Sequence, residues 1–586
     1  MNMKKILSAA AMLVCAMSFG QNINPTVEVT NTYQGNPSEV HKPQIGMAIP
    51  DSLMRFDMDF NYEVFEKPYQ GAYNFKPYML AMRPDKDAYR GRQLYLKAGA
   101  GYSLHPQLDF VFSPEQSGPF QMSVYANHRS YFGKYHSLVP EPMEDATRIV
   151  NLPGGTFFGY DALTSAGFDG RYNFDKAILS FGIGYSGLMT KDTLAQRAYN
   201  AFDFNARLRS NRDDDKYIFY DFATEVRYGS ESKTLSSSLP FTANYRSFDP
   251  GAKLNEVLFS LKGEAGPVLS RSQSILLGIE AETGTYSGLF DDFAGNLAFI
   301  PKYRYATGKW DLSLGVRVEK LFGGTSEEEL FAQHTYRSNW LFPDVHASYM
   351  ATDNVLLYAS ATGGNHLNTY SSLLDHHHFL QASYLAARMD NSVEKINARI
   401  GVKGNFGSKI QFELDGGASV HDNGLYDAGL YFINGPIVDG PIRGLSYLPG
   451  VGYADYSVIY ADALLGLHTG SFRMDGGVHF RNMTFADDED SSIQGLLLPR
   501  FTFDLRTAYD FTSRLYAGIN VMAATSRSGF VKIPGYLDLG LTAGYKFNRK
   551  LSFWLESGNL LCETIQRNPF YAEKDLWITA GITLNL

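Results

Sequence analysis

Four adjacent residues, Asp375-His376-His377-His378, carry the side chains best suited to metal chemistry in this sequence. Imidazole nitrogens bind zinc and copper, so His376, His377 and His378 form a candidate metal site. Consecutive side chains point apart, however, whereas a metal ion needs its ligands on one face. The alternative, which this argument favours, is that the stretch is the solvated tip of a long loop.

Two acidic runs are the next candidates, at residues 487–490 and 326–329. Calcium prefers oxygen ligands, but a calcium-binding loop spaces its acidic residues and places a glycine between them, and neither run does so. We therefore interpret both runs as hydrated acidic loops.

A third set of charged residues alternates with apolar ones. Between Asp311 and Glu319, for example, Leu314, Val316 and Val318 occupy alternate positions. Charges on one face of a sheet either set the selectivity of a pore or pair with one another to hold a filled interior together, and the sequence leaves both roles open. The charged residues placed on such a face are Glu256, Lys262, Asp311, Arg317, Glu319, Arg399, Lys403 and Asp462.

Enzyme chemistry has no signature in this chain. A nucleophile elbow, a zinc-binding helix motif and a phosphate-binding loop are all absent from the sequence. We therefore predict neither an enzyme nor a bound cofactor. The net charge is −9 with acidic residues scattered along the chain, which does not favour a nucleic-acid partner.

The elements that carry these residues follow a period of two, from residue 93 to the end. Ile578, Ala580 and Ile582, for example, alternate with Thr579 and Gly581. The segments run about ten residues, which is the length that crosses a bilayer when tilted. One face is apolar and the other is rich in glycine and polar residues, as in a barrel with a hydrated interior. Because lipid tolerates only helices and closed barrels, the pattern predicts an all-β transmembrane antiparallel β-barrel rather than a soluble sandwich.

Connection lengths predict how this barrel is built. Very short turns, such as Thr469-Gly470, alternate with long connections. That alternation is typical of short periplasmic turns and long extracellular loops, and it gives about 22 strands, within a range of about 20 to 24. The predicted long connections are 132–160, 320–338, 364–392, 421–453, 482–497 and 560–575.

Aromatic residues near segment ends favour a membrane location as well. The chain has 38 Tyr and 41 Phe but only 4 Trp, and several of these rings fall where strands should reach the bilayer surface. The residues predicted to lie at the membrane interface are Tyr102, Tyr131, Tyr185, Tyr545 and Phe547.

The N-terminal residues form two further segments. Residues 1–20 have a basic start, a short apolar stretch and a small-residue cleavage site, which predicts a secretory signal peptide and export through the Sec pathway. Residues 21–92 contain seven prolines, which a paired strand tolerates poorly. We predict that they form a periplasmic proline- and aromatic-rich segment that caps the barrel mouth or fills the lumen. The barrel itself is predicted over 93–586, in the outer membrane of a Gram-negative bacterium.

The early strand pair at 97–102 and 108–110, the strand number and the loop pattern together resemble the barrel of TonB-dependent receptors. The resemblance is closest to Bacteroidota-type members that lack a full plug domain. It implies an outer-membrane receptor in contact with lipid, an unknown ligand, and TonB or another periplasmic or outer-membrane protein as partner. The stretch that is similar to a TonB box comprises Thr26, Val27, Glu28, Val29 and Thr30.

Two functions remain open at this point. The first is uptake of an unknown ligand by a receptor or transporter barrel, as the resemblance implies. The alternative is a non-transporting barrel subunit of an outer-membrane complex for assembly or envelope machinery. A barrel of this size encloses a lumen that must be filled. Residues 21–92, inward-folding loops or a partner protein are the candidates for filling it.

Overall fold

The computed structural model describes residues 93–586 with short gaps. The gaps are 103, 115–117, 143–148, 193–194, 211–217, 236–252, 290, 324–339, 381–388, 434–444, 487–497, 528–530 and 568–571. The predicted signal peptide, the proline-rich segment, the TonB-box-like stretch and both acidic runs therefore lie outside the described residues. Within the described residues, no helix has the length and apolar character needed to cross a bilayer.

The fold is a single closed antiparallel sheet of 22 strands with one additional two-residue strand, which confirms the predicted architecture and strand number. The first half of the chain contributes β1 (Leu94–Tyr102), β2 (Gln107–Phe112), β3 (Phe120–Pro142), β4 (Ile149–Asn173), β5 (Ala177–Lys191), β6 (Ala195–Ser210), β7 (Ile218–Leu235), β8 (Leu254–Ser270), β9 (Gln273–Gly288), β10 (Asp292–Ala306), β11 (Trp310–Gly323) and β12 (Leu341–Thr352).

The second half completes the barrel and adds one short helix. Its elements are β13 (Val355–Leu367), α1 (Tyr370–His376), β14 (Asn391–Phe406), β15 (Ile410–Ile433), β16 (Leu445–His468), β17 (Phe472–Phe485), β18 (Phe501–Asp510), β19 (Leu515–Ala524), β20 (Val531–Lys532), β21 (Tyr536–Lys546), β22 (Leu551–Gly558) and β23 (Trp577–Asn585). The last strand pairs with the first, from Tyr95 opposite Asn585 to Tyr102 opposite Ile578, and this pairing closes the barrel.

The alternation of residues along each strand sorts them between the two faces of the wall. On β11, Leu314, Val316 and Val318 are 50%, 43% and 37% exposed, whereas Gly315 and Glu319 are buried. Large apolar side chains are exposed in this way around the barrel, on β6, β9, β14, β18, β21 and β23 among others. An apolar outer belt of this kind is stable only in contact with lipid, so the barrel spans a membrane.

Two of the predicted long loops are instead paired strands over most of their length, so the prediction of loops was wrong there. Residues 132–160 and 421–453 form the outer ends of the β3–β4 and β15–β16 hairpins, whose strands run for 23 to 25 residues. Such strands extend roughly 80 Å, far more than a bilayer core of about 30 Å. Outside the membrane the backbone groups still need partners, and continued strand pairing supplies them.

These two hairpins lean over the mouth at the long-loop end. β3 contacts β16, although the two are not neighbours in the barrel wall. β20, in the connection between β19 and β21, pairs in parallel with the tip of β4 through Val531 and Lys532. The mouth is therefore covered by elements that start on different sides of the barrel.

Four of the five predicted interfacial aromatics divide into two groups, and the fifth, Tyr185, is half-buried and donates from its hydroxyl to Asn200 Oδ1 at 2.7 Å. Tyr102, Tyr545 and Phe547 are exposed on the outer surface. Tyr131, by contrast, is 2% exposed and packs edge-on against Tyr135 with ring centroids 5.2 Å apart. The prediction was wrong for Tyr131 because β3 continues past the membrane, where Lys574, in the connection before β23, lies over the ring.

Candidate functional site

The connection between β13 and β14 folds into the barrel mouth instead of outward. We call residues 368–380 the inward segment. It contains α1, which begins after Thr369, whose hydroxyl accepts a hydrogen bond from the Ser372 backbone N–H at 3.3 Å. Tyr370, Leu373 and Leu374 follow the spacing of one helix face, and each is at most 4% exposed. One apolar face of a short helix is thus buried inside a barrel whose wall is mostly polar.

The wall offers this helix a matching apolar patch. The buried residues that form one cluster with the helix are Leu188, Tyr199, Ala201, Leu254, Tyr286, Leu289, Leu425 and Val451, together with Leu380 and Met389 of the same connection. Apart from Leu289, which follows β9, the residues outside this connection come from β5, β6, β8, β9, β15 and β16, so the cluster gathers both sides of the barrel around α1. Burial of this apolar surface stabilises the inward position of the segment.

Hydrogen bonds fix the same position. Glu256 is 1% exposed, and its Oε1 accepts from the Tyr199 hydroxyl at 2.5 Å and from the Ser371 backbone N–H at 3.1 Å. Arg197 donates to the Thr190 hydroxyl at 3.0 Å and to the His378 carbonyl at 2.8 Å. Glu256 was predicted as a lumen-lining charge. It lies on the inner wall, and it holds the backbone of the inward segment.

The histidines of the segment are not the solvated loop tip that the sequence favoured, and that interpretation was wrong. His376 Nε2 lies 2.5 Å from Asp427 Oδ1, with side chains 4% and 6% exposed. His378 Nδ1 lies 2.9 Å from Asp161 Oδ2. The segment folds inward because its apolar neighbours are buried, and the imidazoles follow them to carboxylates on the wall.

The directions in which the three imidazoles point decide whether they can share a metal ion. His376 points to β15 and His378 to β4, while His377 Nδ1 accepts from the Phe379 backbone N–H at 3.0 Å. The three rings therefore do not converge. In the part of the chain that the structure describes, no group of three or more His, Cys, Asp or Glu side chains is arranged to hold a metal ion.

Both paired histidines favour the protonated form. Burial alone would lower the pKa of His376, but the charge of Asp427 and its hydrogen bond outweigh burial and raise that pKa above its ordinary value. Burial likewise opposes the charge on His378, and Asp161 with its hydrogen bond raises the pKa of that imidazole too. Each imidazole therefore keeps its proton, and each pair stays an ion pair, to a higher pH than a free histidine would allow.

Below the inward segment, the predicted lumen charges pair along the wall. Arg317 donates to Glu280 at 2.6 Å and also pairs with Glu319. Glu319 is buried, and its Oε2 accepts from the backbone N–H and the side-chain amide of Asn365 at 2.7 and 2.6 Å. This network ties β9 and β11 to the outer end of β13, just before the inward segment begins.

A second network joins β13, β14 and β15. Arg399 donates from Nε and Nη2 to both oxygens of Asp415 at 2.9 and 2.8 Å, and its guanidinium stacks over Tyr358. The Tyr358 hydroxyl donates to Glu413 at 2.6 Å, and Lys403 lies over the same ring. Two-point guanidinium contacts of this kind are the strong form of the ion pair.

Asp462 is the centre of a third network, on β16 to β18. Its Oδ1 accepts from His479 at 2.6 Å and from Arg481 at 2.8 Å, and His479 also contacts Asp504 at 3.1 Å. The two remaining predicted residues sit in smaller pairs: Asp311 accepts from Arg304 at 3.0 Å, and Lys262 lies 3.0 Å from Glu282.

The predicted lumen residues are thus spread over four strands of the wall, and only Arg317 and Glu319 pair with each other. Their partners were missed because a single strand pattern does not reveal which strand lies next to it. The anchors of the inward segment were missed for a different reason. Asp427 falls in a stretch predicted as loop, and Asp161 lies just after another.

Removing the Asp462 carboxylate is expected to destabilise the barrel. In Asp462→Ala, the buried His479 and the partly buried Arg481 lose their shared acceptor. We expect the free energy of unfolding to fall by about 3 kcal/mol, at the lower end for a broken buried pair because Asp504 still faces His479. Unfolding in urea, followed by tryptophan fluorescence in detergent micelles, measures this change.

The matched control is Asp311→Ala, which breaks the Arg304 pair, whose side chains are 34% and 29% exposed. A partly exposed pair contributes about 1 kcal/mol or less. Equal losses in the two variants would show that Asp462 does not hold a stabilising network.

Comparison with known proteins points to one fold. No family model matches the sequence, and no curated protein sequence is similar to it. Among solved structures, the FrpB iron transporter from Neisseria meningitidis is similar with 10% identity, a TM-score of 0.62, and coverage of 84% of this chain and 82% of that one. P. aeruginosa FpvA bound to heterologous pyoverdines and iron matches with 13% identity, a TM-score of 0.57, and 84% and 72% coverage.

The copper transporter OprC matches with 13% identity, a TM-score of 0.59, and coverage of 85% of this chain and 80% of that one. At sequence identities this low, the similarity shows a shared fold alone. The closed wall, the apolar belt and these matches together give the conclusion: the chain has the 22-strand outer-membrane barrel fold of the TonB-dependent receptors.

Proposed function

We propose that this protein is an outer-membrane receptor or transporter barrel that takes up a ligand through its lumen, with the inward segment as its outer gate. The observation that carries the proposal is the contrast between the two levels of the barrel. The wall is lined by partly exposed charged pairs, such as Lys262 with Glu282, whereas the mouth above is closed by a buried apolar helix. A polar path under a removable cover is what a gated uptake barrel requires.

The chemistry of the wall favours a polar or charged ligand. Positive and negative side chains alternate around the lumen, so a solute crossing it exchanges hydration for charged and hydrogen-bonding groups. The solved structures with this fold include proteins named as iron and copper transporters and as a siderophore receptor. The charged wall and these neighbours support uptake as the function, without choosing a ligand for this chain.

Energy for uptake would come from the periplasmic side. The TonB-box-like residues Thr26 to Thr30 are the candidate contact for an energising protein, because a short extended stretch can pair as an added strand. Residues 21–92 would then act both as the coupling arm and as the filler of the lower lumen.

A second function is favoured by one specific observation. The mouth is covered by the leaning hairpins as well as by the inward segment, and a permanently covered barrel suits a non-transporting subunit of an outer-membrane complex. In that case a partner protein takes the place of a plug, and the paired wall charges are structural.

One experiment separates the two functions. Full-length protein carrying Val27→Pro is compared with the parent in cross-linking to TonB in living cells, and both are purified from their own membranes in mild detergent. Proline cannot donate the backbone N–H that strand pairing requires, so an uptake receptor is expected to lose most of its TonB cross-link. Val29→Thr, which keeps strand geometry, should retain the cross-link.

The two functions predict different outcomes of this experiment. Loss of the cross-link in Val27→Pro alone supports energised uptake. A parent that never cross-links to TonB, and that instead co-purifies with a stoichiometric outer-membrane partner in both variants, overturns uptake in favour of the complex-subunit function.

A further inference from the structure

The inward segment is tied to the barrel at two points that lie on opposite walls. His376 pairs with Asp427 on β15, and His378 pairs with Asp161 on β4. From β4 to β15 is eleven steps (15 − 4), which is half of the 22 strands that close the barrel. Two histidines separated by one residue therefore connect strands from diametrically opposed positions. A segment that only filled space would not need an ion pair to each side.

We propose that the inward segment is a proton-operated strap: protonated His376 and His378 tie β15 to β4 across the mouth, and loss of these protons releases the segment. This goes beyond the proposed function, since such a strap would operate in a transporting barrel and in a complex subunit alike.

On the β15 side, the groups that change protonation near neutral pH are histidines. The facing group is Asp427, and His377 of the same segment and Arg527, in the connection between β19 and β21, also act on this carboxylate. Arginine stays charged across the physiological range. A change of pH near neutrality therefore alters histidine protons rather than the charge of Arg527.

The His378 side carries one other group that titrates. Asp161 faces the imidazole, Asp375 and Glu573 add negative charge, and Arg197 and Lys574 add positive charge near Asp161. Burial lowers the pKa of Lys574 to about 8. The effects of His378 and Lys574 must therefore be separated by experiment.

The direction of the response follows from the raised pKa of each histidine. A group whose pKa is higher in the docked state than in the free segment stabilises docking fully below its free value, about pH 6.5. That stabilisation is lost as the pH rises through the docked value. The segment is thus held most firmly below about pH 6.5, and it loosens as the pH rises through the raised pKa values of the two histidines.

The test uses thiol accessibility in the full-length protein, purified in detergent micelles. Leu380 is fully buried in the inward segment, and Leu380→Cys places a thiol where it is protected as long as the segment is docked. The exposed Cys562 is replaced by serine in this variant. Cys562 of the unmodified protein, labelled in parallel, corrects for the effect of pH on thiol ionisation.

The corrected rate of maleimide labelling at the introduced thiol is expected to rise about tenfold or more from about pH 6 to about pH 9, because two buried or partly buried ion pairs between the segment and the wall are lost. In the double variant His376→Gln and His378→Gln, labelling should already be fast at the lower pH and should change little. His346→Gln removes a more exposed histidine–carboxylate pair, with Asp344 on the wall, and Lys574→Gln removes the other titrating group. Both controls are expected to keep the full pH response.

A corrected rate that does not change with pH in the parent would overturn the strap, as would a full response in the double glutamine variant. A response that disappears only in Lys574→Gln would also overturn it, because the lysine would then be the sensor. If the double variant does not assemble, the single variants decide: each should lose part of the response, and two unchanged responses reject the proposal.

Discussion

Gly101→Val is expected to prevent the barrel from closing. Gly101 lies on β1 opposite Thr579 of β23, in the pairing that joins the first strand to the last. A Cβ at this position would overlap the Ile578 carbonyl oxygen and would lie 2.6 Å from the Thr579 Cα. Those atoms are backbone atoms of the partner strand, so they cannot rotate away as a side chain would.

The expected result is a loss of folded barrel rather than a modest loss of stability. An unpaired β1 and β23 would leave two strand edges in lipid, where each unsatisfied backbone group costs several kcal/mol. The C-terminal residue shares in this seam, since Leu586 and Leu94 exchange backbone hydrogen bonds at 2.9 and 3.0 Å. Heat-modifiable migration on electrophoresis, which a closed barrel shows and an unfolded chain does not, is the measurement.

The matched control is Gly470→Val, in the short turn between β16 and β17. A Cβ there meets no atom within 4 Å. This variant should fold like the parent. A heat-modifiable Gly101→Val barrel of parental thermal stability would show that the seam tolerates a side chain and that closure does not depend on close backbone approach.

Leu373→Asp is expected to expel the inward segment while the barrel stays folded. Leu373 is fully buried at the centre of the apolar cluster. Truncating such a residue already costs about 2–5 kcal/mol, which shifts docking at least roughly thirtyfold. A carboxylate adds the penalty of an unpaired charge in an apolar site. The wall strands keep their own ladders, so only the segment should move.

Proteinase K treatment of intact cells measures this change. The parent is expected to resist cleavage between residues 368 and 380, and Leu373→Asp should be cut there, with both fragments still in a heat-modifiable barrel. Ser372→Asp adds the same charge one position away, at a half-buried residue. It should remain resistant, and equal cleavage of the two variants would mean that the apolar cluster does not hold the segment.

These results would also connect the strap to function. If Leu373→Asp opens the mouth at any pH, and if the double glutamine variant opens it already at the pH where the parent stays closed, then the apolar cluster supplies the stability of docking and the ion pairs supply its control. An uptake barrel needs both, because a gate must be closed at rest and must open in response to a signal.

The sequence alone determined the wall of this protein. Alternation such as that of Leu314, Val316 and Val318 with Gly315 and Glu319 assigns each residue to lipid or lumen, because successive side chains of a strand point to opposite faces. Repeated along the chain, the pattern predicts a closed barrel, its approximate strand number and the side on which most charges lie. This prediction succeeds because strand alternation is a property of local geometry and because lipid and water select different side chains for the two faces.

Only the tertiary structure decided what occupies the mouth. Glu256 and Ser371 are 115 residues apart, and His378 and Asp161 are 217 apart. The apolar residues on the inner faces of β5, β6, β8 and β9 look in sequence like interruptions of a polar face. They become a docking patch once closure of the barrel brings α1 against them. Closure is a long-range event, since β1 meets β23 from opposite ends of the barrel sequence, and no local pattern records which inner surfaces it will bring together.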